Sequence, residues 1–246
     1  MIQPFLVALQ FLTQLPVRID AQPSKKIIGR SLLYYPLVGL IIGALLVGLG
    51  WLLSSAPVLI TAALLVTAWV VLTGGLHLDG LADCADAWIG GMGDSEKTMA
   101  IMKDPACGPA GVIAILLIIL LKLTALHTLL MTDDWIALLV AVVIGRTLLP
   151  VLLLTTPYVR SNGLGYILSA YQPKRLTIIV VAATVVAILL VTRLYGIWLI
   201  ISTVILFLVL RYLMLHRIGG TTGDTAGAVV EVTETTVLLT AVLVRM

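Results

Sequence analysis

The chain has 246 residues, of which 61% are hydrophobic and 11% charged, and its formal net charge is +3. A soluble domain is about half apolar and a quarter charged, so this composition excludes a soluble globular protein and favours a membrane protein. The small net charge argues against nucleic acid as a partner. Because the breaks between the hydrophobic segments are short, we expect a single membrane-embedded domain over residues 1–246.

The first sixteen residues predict a helix that lies in the membrane interface or re-enters it. Phe5, Leu9 and Leu12 recur with the helical period, glutamines occupy the opposite face, and Pro16 ends the run. Beyond it, apolar segments long enough to cross a bilayer predict seven spans, at 32–53, 56–76, 109–131, 135–154, 176–192, 195–215 and 227–244. We therefore expect an all-α, polytopic membrane helix bundle.

The distribution of lysine and arginine predicts the orientation of these spans. Two basic residues, Arg193 and Arg245, fall on one side of the membrane, and the other side carries many more. By the positive-inside rule the richer side is cytoplasmic, and loops 74–108, 156–175 and 211–227 lie there, where we expect the active site. The cytoplasmic basic residues are Arg18, Lys25, Lys26, Arg30, Lys97, Lys103, Arg160, Lys174, Arg175, Arg211 and Arg217.

Three aspartates interrupt the apolar sequence in GGLHLDGLADCADAW, residues 74–88. Asp79, Asp83 and Asp86 are spaced i, i+4 and i+7, which places their carboxylates on one face of a helix. Like charges one turn apart repel, so the pattern favours a bound cation, and hard oxygen ligands suit Mg²⁺ or Mn²⁺ bridging to phosphate. The alternative is a polar loop that is merely solvated. His77 is a candidate acid, base or phosphate donor, or a simple interfacial residue.

A second acidic segment, GGTTGDTAGAVVE at 219–231, shares the pattern G-G-x-x-x-D-x6-[D/E] with the first. Both segments begin at the cytoplasmic end of a span, so they either form a parallel internal repeat or match by chance. Asp224 and Glu231 are further candidate metal ligands. Glu234, one turn deeper, is a candidate partner for Arg146 or Lys122, whose own alternatives are a structural ion pair and substrate binding.

Between the acidic segments lies IMKDPACGPAG, residues 101–111. Lys103 offers a cation for phosphate beside the acid Asp104. The start of the following helix offers free N–H groups that are able to bind a phosphate oxygen, although an ordinary junction between a loop and a helix would look the same. A further loop, RSNGLGYILSAYQPKR at 160–175, is either a cover for a planar substrate or a connector.

Together with FLTQLPV near the N-terminus and YPLVG at 35–39, these motifs resemble the cobalamin synthase family, whose members are adenosylcobinamide-GDP ribazoletransferases. The resemblance covers almost the whole chain and keeps the order of the motifs. The middle motif departs from the family pattern D-S-x-x-G-T-x-G, because Pro105 and Pro109 replace a hydroxyl-bearing residue and remove N–H groups. A phosphate-binding role at these two positions is therefore in doubt.

The resemblance implies a late step in vitamin B12 assembly in the plasma (inner) membrane of a prokaryote. A hydroxyl of α-ribazole, or of α-ribazole 5′-phosphate, attacks the cobinamide-linked phosphorus of adenosylcobinamide-GDP, and GMP leaves in a Mg²⁺-dependent reaction. Displacement at a diphosphate requires a metal, cations and a base. The candidate metal ligands are Asp79, Asp83, Asp224 and Glu231, the candidate bases are Asp86 and His77, and the candidate substrate-binding residues are Lys103, Asp104, Arg217, Gly223 and Thr225.

Two other interpretations remain open at this point. The start of the first acidic segment also resembles the D-G-x-x-A motif of CDP-alcohol phosphotransferases, but the later aspartate spacing fails, so similar chemistry is implied without membership. A transporter or channel also uses acids and glycine-rich broken segments, although here the acids gather at one membrane face. The many small residues permit a homo-oligomer.

Overall fold

In the computed structural model, residues 2–19 and 22–245 are described, and most of them are helical. The only β-type pairing in these residues is one parallel bridge between Tyr158 and Thr221. The helices are α1 (Ile2–Leu12), α2 (Lys25–Ser31), α3 (Tyr35–Leu52), α4 (Val58–Thr73), α5 (Leu76–Gly91), α6 (Ser95–Ile101), α7 (Pro109–Met131), α8 (Trp135–Thr155), α9 (Leu164–Ala170), α10 (Lys174–Thr192), α11 (Tyr195–Ile218) and α12 (Gly223–Arg245).

Among the described residues, six helices are long and apolar enough to cross a membrane, and the bent pair α4 and α5 raises that number to seven if it counts as one span. The predicted polytopic helix bundle is therefore confirmed. The six helices are α3, which continues α2, together with α7, α8, α10, α11 and α12. The predicted span at 56–76 is the exception, because α4 is shorter and turns through 89° into α5.

Two glycines make this turn. Gly74 and Gly75 have φ values of 64° and 69°, a left-handed backbone that other residues adopt only at a cost. The first glycine ends α4 and the second begins α5, so the acidic segment forms a separate helix that runs almost perpendicular to α4. The predicted helical arrangement of the three aspartates is thereby confirmed.

α8 lies at the centre of the bundle. In the most apolar stretch of α8, 78% of the residues are buried, against 17% in that of α10. α8 packs between α3 and α12. α10 and α11 leave rows of large apolar side chains exposed, as expected for helices that face lipid. The helix α1 is shorter than a span and packs on α2 and α3 through the buried residues Val7, Ala8 and Leu12. The site described next lies where α5 meets α12.

Candidate functional site

α5 and α12 cross in very close contact, and glycine makes the contact possible. A Cβ added at Gly80 would lie 2.7 Å from the carbonyl oxygen of Asp224, and one added at Gly227 would lie 3.2 Å from the Cα of His77. A side chain at Gly80 would push the helix backbones apart, and one at Gly227 would be tight. The crossing places the acidic segment of α5 directly against the first turn of α12.

The crossing brings carboxylates from both acidic segments to one place. Asp79 is exposed, whereas Asp83 and Asp224 are partly buried. The electrostatic surroundings of Asp83 are dominated by the negative charges of Asp79, Asp224 and Asp86, and Arg160 supplies the opposing positive charge. Three of the predicted metal ligands, Asp79, Asp83 and Asp224, therefore share one strongly negative space.

Sequence reasoning did not assign Arg160 to this site. Its guanidinium donates to the Asp224 carboxylate at 2.5 Å and also approaches the carbonyl oxygen of Met102 at 3.4 Å. In the sequence, Arg160 opens a glycine-rich loop and indicates only the orientation of the spans. Its contact with Asp224 follows from the tertiary structure.

A short backbone clamp holds Arg160 in position. The N–H of Val159 donates to the carbonyl of Thr221 at 2.9 Å, and the N–H of Thr221 donates to the carbonyl of Pro157 at 2.8 Å. Gly220 allows this approach, because a Cβ there would lie 2.2 Å from the Pro157 oxygen. The loop that follows α8 is thereby fastened to the segment that precedes α12, and the Arg160 side chain reaches Asp224.

A cavity of about 240 Å³ opens beside these carboxylates. Asp79, Asp224 and Gly223 line it, as do His77, which is only 3% exposed, and Tyr158. Tyr158 belongs to the loop between α8 and α9, and burial raises the pKa of its phenol, so it stays protonated and able to donate at neutral pH. The cavity is large enough for a small molecule to approach the acids.

Thr225, predicted to bind substrate, makes hydrogen bonds at the start of α12. Its hydroxyl accepts from the N–H of Thr222 at 2.8 Å and contacts the Thr221 hydroxyl at 2.8 Å, while the Thr222 hydroxyl accepts from the N–H of Thr225 at 3.2 Å. These reciprocal bonds satisfy the backbone groups at the beginning of α12. They hold Asp224 in the first turn, facing α5.

Asp86 makes contacts that differ from those of the other acids. Its two carboxylate oxygens accept from the N–H of Gly108 at 2.7 Å and from the N–H of Gly111 at 3.0 Å. The N–H groups predicted as candidates for phosphate binding at the start of α7 are thus already occupied by a side chain. Both Asp86 oxygens are engaged by backbone N–H groups, and a role as base for Asp86 or His77 stays a prediction.

The two predicted phosphate-binding cations lie in different surroundings. Lys103 and Asp104 are exposed on the turn before α7, and Asp104 accepts from the N–H of Ala106 at 3.0 Å. Arg217 donates to the carbonyl of Trp88 at 2.6 Å and to the Thr98 hydroxyl at 3.0 Å, contacts that tie α11 to α5 and α6. Of the basic residues discussed here, Arg160 makes the direct contact with the acids.

Glu231 lies in a different environment, inside the bundle. Lys122 donates to Glu231 and to Glu234 at 2.6 Å each, and its ammonium lies 4.4 Å from the centre of the Trp69 ring. Arg146, which is fully buried, pairs with Glu234. The predicted partnership of Glu234 with these two cations is confirmed. Glu231 is part of the same buried ion-pair cluster, in contact with Lys122, and its role as a metal ligand stays a prediction.

The carboxylates at the crossing of α5 and α12 are suitable ligands for a divalent metal, but in this structure they are not arranged around a metal position. In the described ranges, no group of three or more His, Cys, Asp or Glu side chains is arranged so as to hold a metal ion. The donors of Asp79, Asp83 and Asp224 are hard oxygens, as Mg²⁺ prefers, and their shared negative charge exceeds the single charge of Arg160. A cation would relieve this imbalance.

Comparison with known proteins shows the family to which the chain is related. The family model described as cobalamin-5-phosphate synthase matches residues 4–242. Adenosylcobinamide-GDP ribazoletransferases are similar along their whole length, at 53% identity for one from Pseudomonas fluorescens (96% of this chain, 97% of the relative) and 50% for one from Pseudomonas syringae pv. syringae (98% and 99%). One from Stutzerimonas stutzeri shares 50% identity over 96% of each chain. No solved structure matches significantly. The chain belongs to the cobalamin-5-phosphate synthase family.

Proposed function

We propose that the chain is an adenosylcobinamide-GDP ribazoletransferase that acts in the last assembly steps of vitamin B12. The observation that carries this proposal is the convergence of Asp79, Asp83 and Asp224 beside Arg160 and a cavity, in a chain about half identical to enzymes of that name. The acceptor is α-ribazole or its 5′-phosphate, and the products are adenosylcobalamin or its 5′-phosphate and GMP.

The proposed reaction is a displacement at phosphorus. The acceptor hydroxyl forms a bond to the phosphorus attached to the cobinamide, the bond from that phosphorus to the GMP oxygen breaks, and GMP leaves with the electron pair. The hydroxyl proton passes to a base. His77 is proposed for this role, because it lies in the cavity wall and Asp86 is held by two backbone N–H groups.

We propose that the acids hold Mg²⁺ through Asp79, Asp83 and Asp224. When bound, Mg²⁺ neutralises oxygens of the diphosphate and stabilises the leaving phosphate. Arg160 has two tasks in this scheme: it keeps the Asp224 carboxylate in place at 2.5 Å and adds positive charge close to the reacting phosphate. Lys103 stands on the exposed turn at the edge of the site, where a flexible cation is able to meet a phosphate oxygen.

We propose that the protein resides in the plasma membrane of a bacterium, with this site on the cytoplasmic face. Basic residues flank the site, at Lys103, Arg160 and Arg217, and the opposite ends of the spans carry few. A cytoplasmic site gives the enzyme direct access to a water-soluble nucleotide substrate.

The test is GMP release by the purified protein in lipid nanodiscs. Adenosylcobinamide-GDP is supplied with or without α-ribazole, and with Mg²⁺ or EDTA. We expect release only when acceptor and metal are both present. The absence of release from folded protein under every condition would refute the transferase. Ion flux across liposomes that contain the protein alone would instead support a channel.

A further inference from the structure

The cavity beside the acids has two chemically distinct parts. One end is acidic and carries Asp79 and Asp224, where the reacting phosphate is proposed to lie. The remaining wall is largely apolar: α8 supplies Leu149 and Leu153, α9 supplies Leu164 and Leu168, and residues of α1, α3 and α5 contribute to it. A ligand that fills this cavity therefore needs an apolar body with a polar group at one end.

His77 is a buried polar residue in the wall of this cavity. It is 3% exposed, and its Nδ1 has no hydrogen-bond partner among the described residues. A ligand hydroxyl would reach this nitrogen only after the imidazole turned toward the cavity, because the atom is closed to solvent.

We propose that this cavity is the binding site for the base and ribose of the acceptor, α-ribazole, an inference that rests on the proposed function. The base of α-ribazole is an uncharged benzimidazole with two methyl groups, which suits leucine walls. Its ribose hydroxyl lies at the acidic end, near Asp79 and Asp224, where the bond to phosphorus forms. The apolar walls thus select the acceptor.

The other parts of the substrates fit this cavity poorly. Guanine carries hydrogen-bonding groups along its edges, and leaving these groups unpaired against leucine side chains costs free energy. A corrin ring with its amide side chains exceeds a volume of about 240 Å³. The donor therefore reaches the acids from outside the cavity, and only the acceptor enters it.

The experiment narrows the cavity without changing the acids. Leu164 is 37% exposed at the edge of the cavity, so Leu164→Trp fills space there with little effect on the core. The matched control is Leu176→Trp, since Leu176 is 50% exposed in the first turn of α10 and does not line the cavity. Binding of α-ribazole to each protein is measured by calorimetry in nanodiscs without the donor, and KM for both substrates is measured during turnover.

We expect Leu164→Trp to weaken α-ribazole binding and raise its KM by at least about tenfold, since each tenfold step is 1.4 kcal/mol of lost contact. In Leu164→Trp, KM for adenosylcobinamide-GDP should stay close to the wild-type value. In the control Leu176→Trp, α-ribazole binding and both KM values should stay close to wild type. Unchanged α-ribazole affinity in Leu164→Trp, or a rise in the donor KM alone, would overturn the proposal, as would folded wild-type protein that does not bind α-ribazole. Because binding is measured without turnover, a loss of affinity in Leu164→Trp still supports the cavity if the transferase activity itself fails.

Discussion

The Arg160 guanidinium donates to the Asp224 carboxylate at 2.5 Å, although 64 residues separate the two along the chain. The parallel bridge between Tyr158 and Thr221 aligns the two segments and makes this pair possible. Asp224 consequently faces Asp79 and Asp83 with one cation at its side, and the site is acidic with a single positive charge built into it.

Removal of this cation should impair catalysis more than folding. The Arg160 and Asp224 side chains are 25% and 19% exposed, so the pair itself adds little stability. We expect Arg160→Ala to lower kcat by at least about tenfold, as for other lost transition-state charges, with a melting temperature close to wild type. The control is Arg175→Ala, an exposed arginine in the first turn of α10. Normal kcat in Arg160→Ala would show that Arg160 does not assist the reaction.

The metal proposal predicts the behaviour of the two α5 aspartates. Asp79→Asn and Asp83→Asn each remove one negative charge from a crowded acidic space, so the fold should be kept or slightly stabilised. Turnover should fall by at least about a hundredfold, with a higher Mg²⁺ concentration needed for half-maximal activity. Glu96→Gln, at an exposed position in α6, is the matched control. Wild-type rates and Mg²⁺ dependence in both aspartate variants would refute the assignment.

The close crossing of α5 and α12 predicts that Gly80→Ala is damaging. The new methyl group would lie 2.7 Å from the Asp224 carbonyl oxygen, and backbone is unable to yield as a side chain does. We expect a loss of about 1–3 kcal/mol in stability together with reduced activity, measured by thermal unfolding in detergent and by GMP release. Gly48→Ala in α3 is the control, because a Cβ there meets nothing within 4 Å. Equal melting temperatures for the two variants would contradict the tight crossing.

Asp86 should behave as a structural residue. Asp86→Asn keeps one acceptor oxygen but loses one of two bonds to the start of α7, at Gly108 or Gly111. We expect a lower melting temperature and a fall in kcat of less than about tenfold, far below the loss of a general base. A drop in kcat of about a thousandfold with unchanged melting would instead identify Asp86 as the base.

The buried ion-pair cluster predicts a stability effect that depends on charge balance. Lys122→Met removes the cation that contacts Glu231 and Glu234 in the core of the bundle. We expect the free energy of unfolding to fall by about 3–5 kcal/mol. The double variant with Lys122→Met and Glu231→Gln removes one charge of each sign and should recover much of the melting temperature. Equal melting of the single and double variants would show that the charges are not coupled.

Much of the architecture was predictable because it depends on local properties of the chain. Apolar length predicted the membrane helices, and the i, i+4, i+7 spacing predicted a helix with three acids on one face. These features follow from residues within one or two helical turns of each other. The predicted span at 56–76 included Gly74 and Gly75, so neither the break before α5 nor its 89° bend was foreseen.

The membership and geometry of the site depended on tertiary structure. Asp224 and Glu231 share one face of α12, yet seven residues separate them by about 10 Å along the helix axis, so Asp224 meets α5 while Glu231 meets Lys122 inside the bundle. Asp86 is likewise seven residues from Asp79, and its carboxylate lies at the start of α7. Spacing determined the face of each helix on which a carboxylate lies. Which neighbour it meets there was decided by how closely the helices pack, because the contact at Gly80 and the clamp that holds Arg160 join residues far apart in the chain.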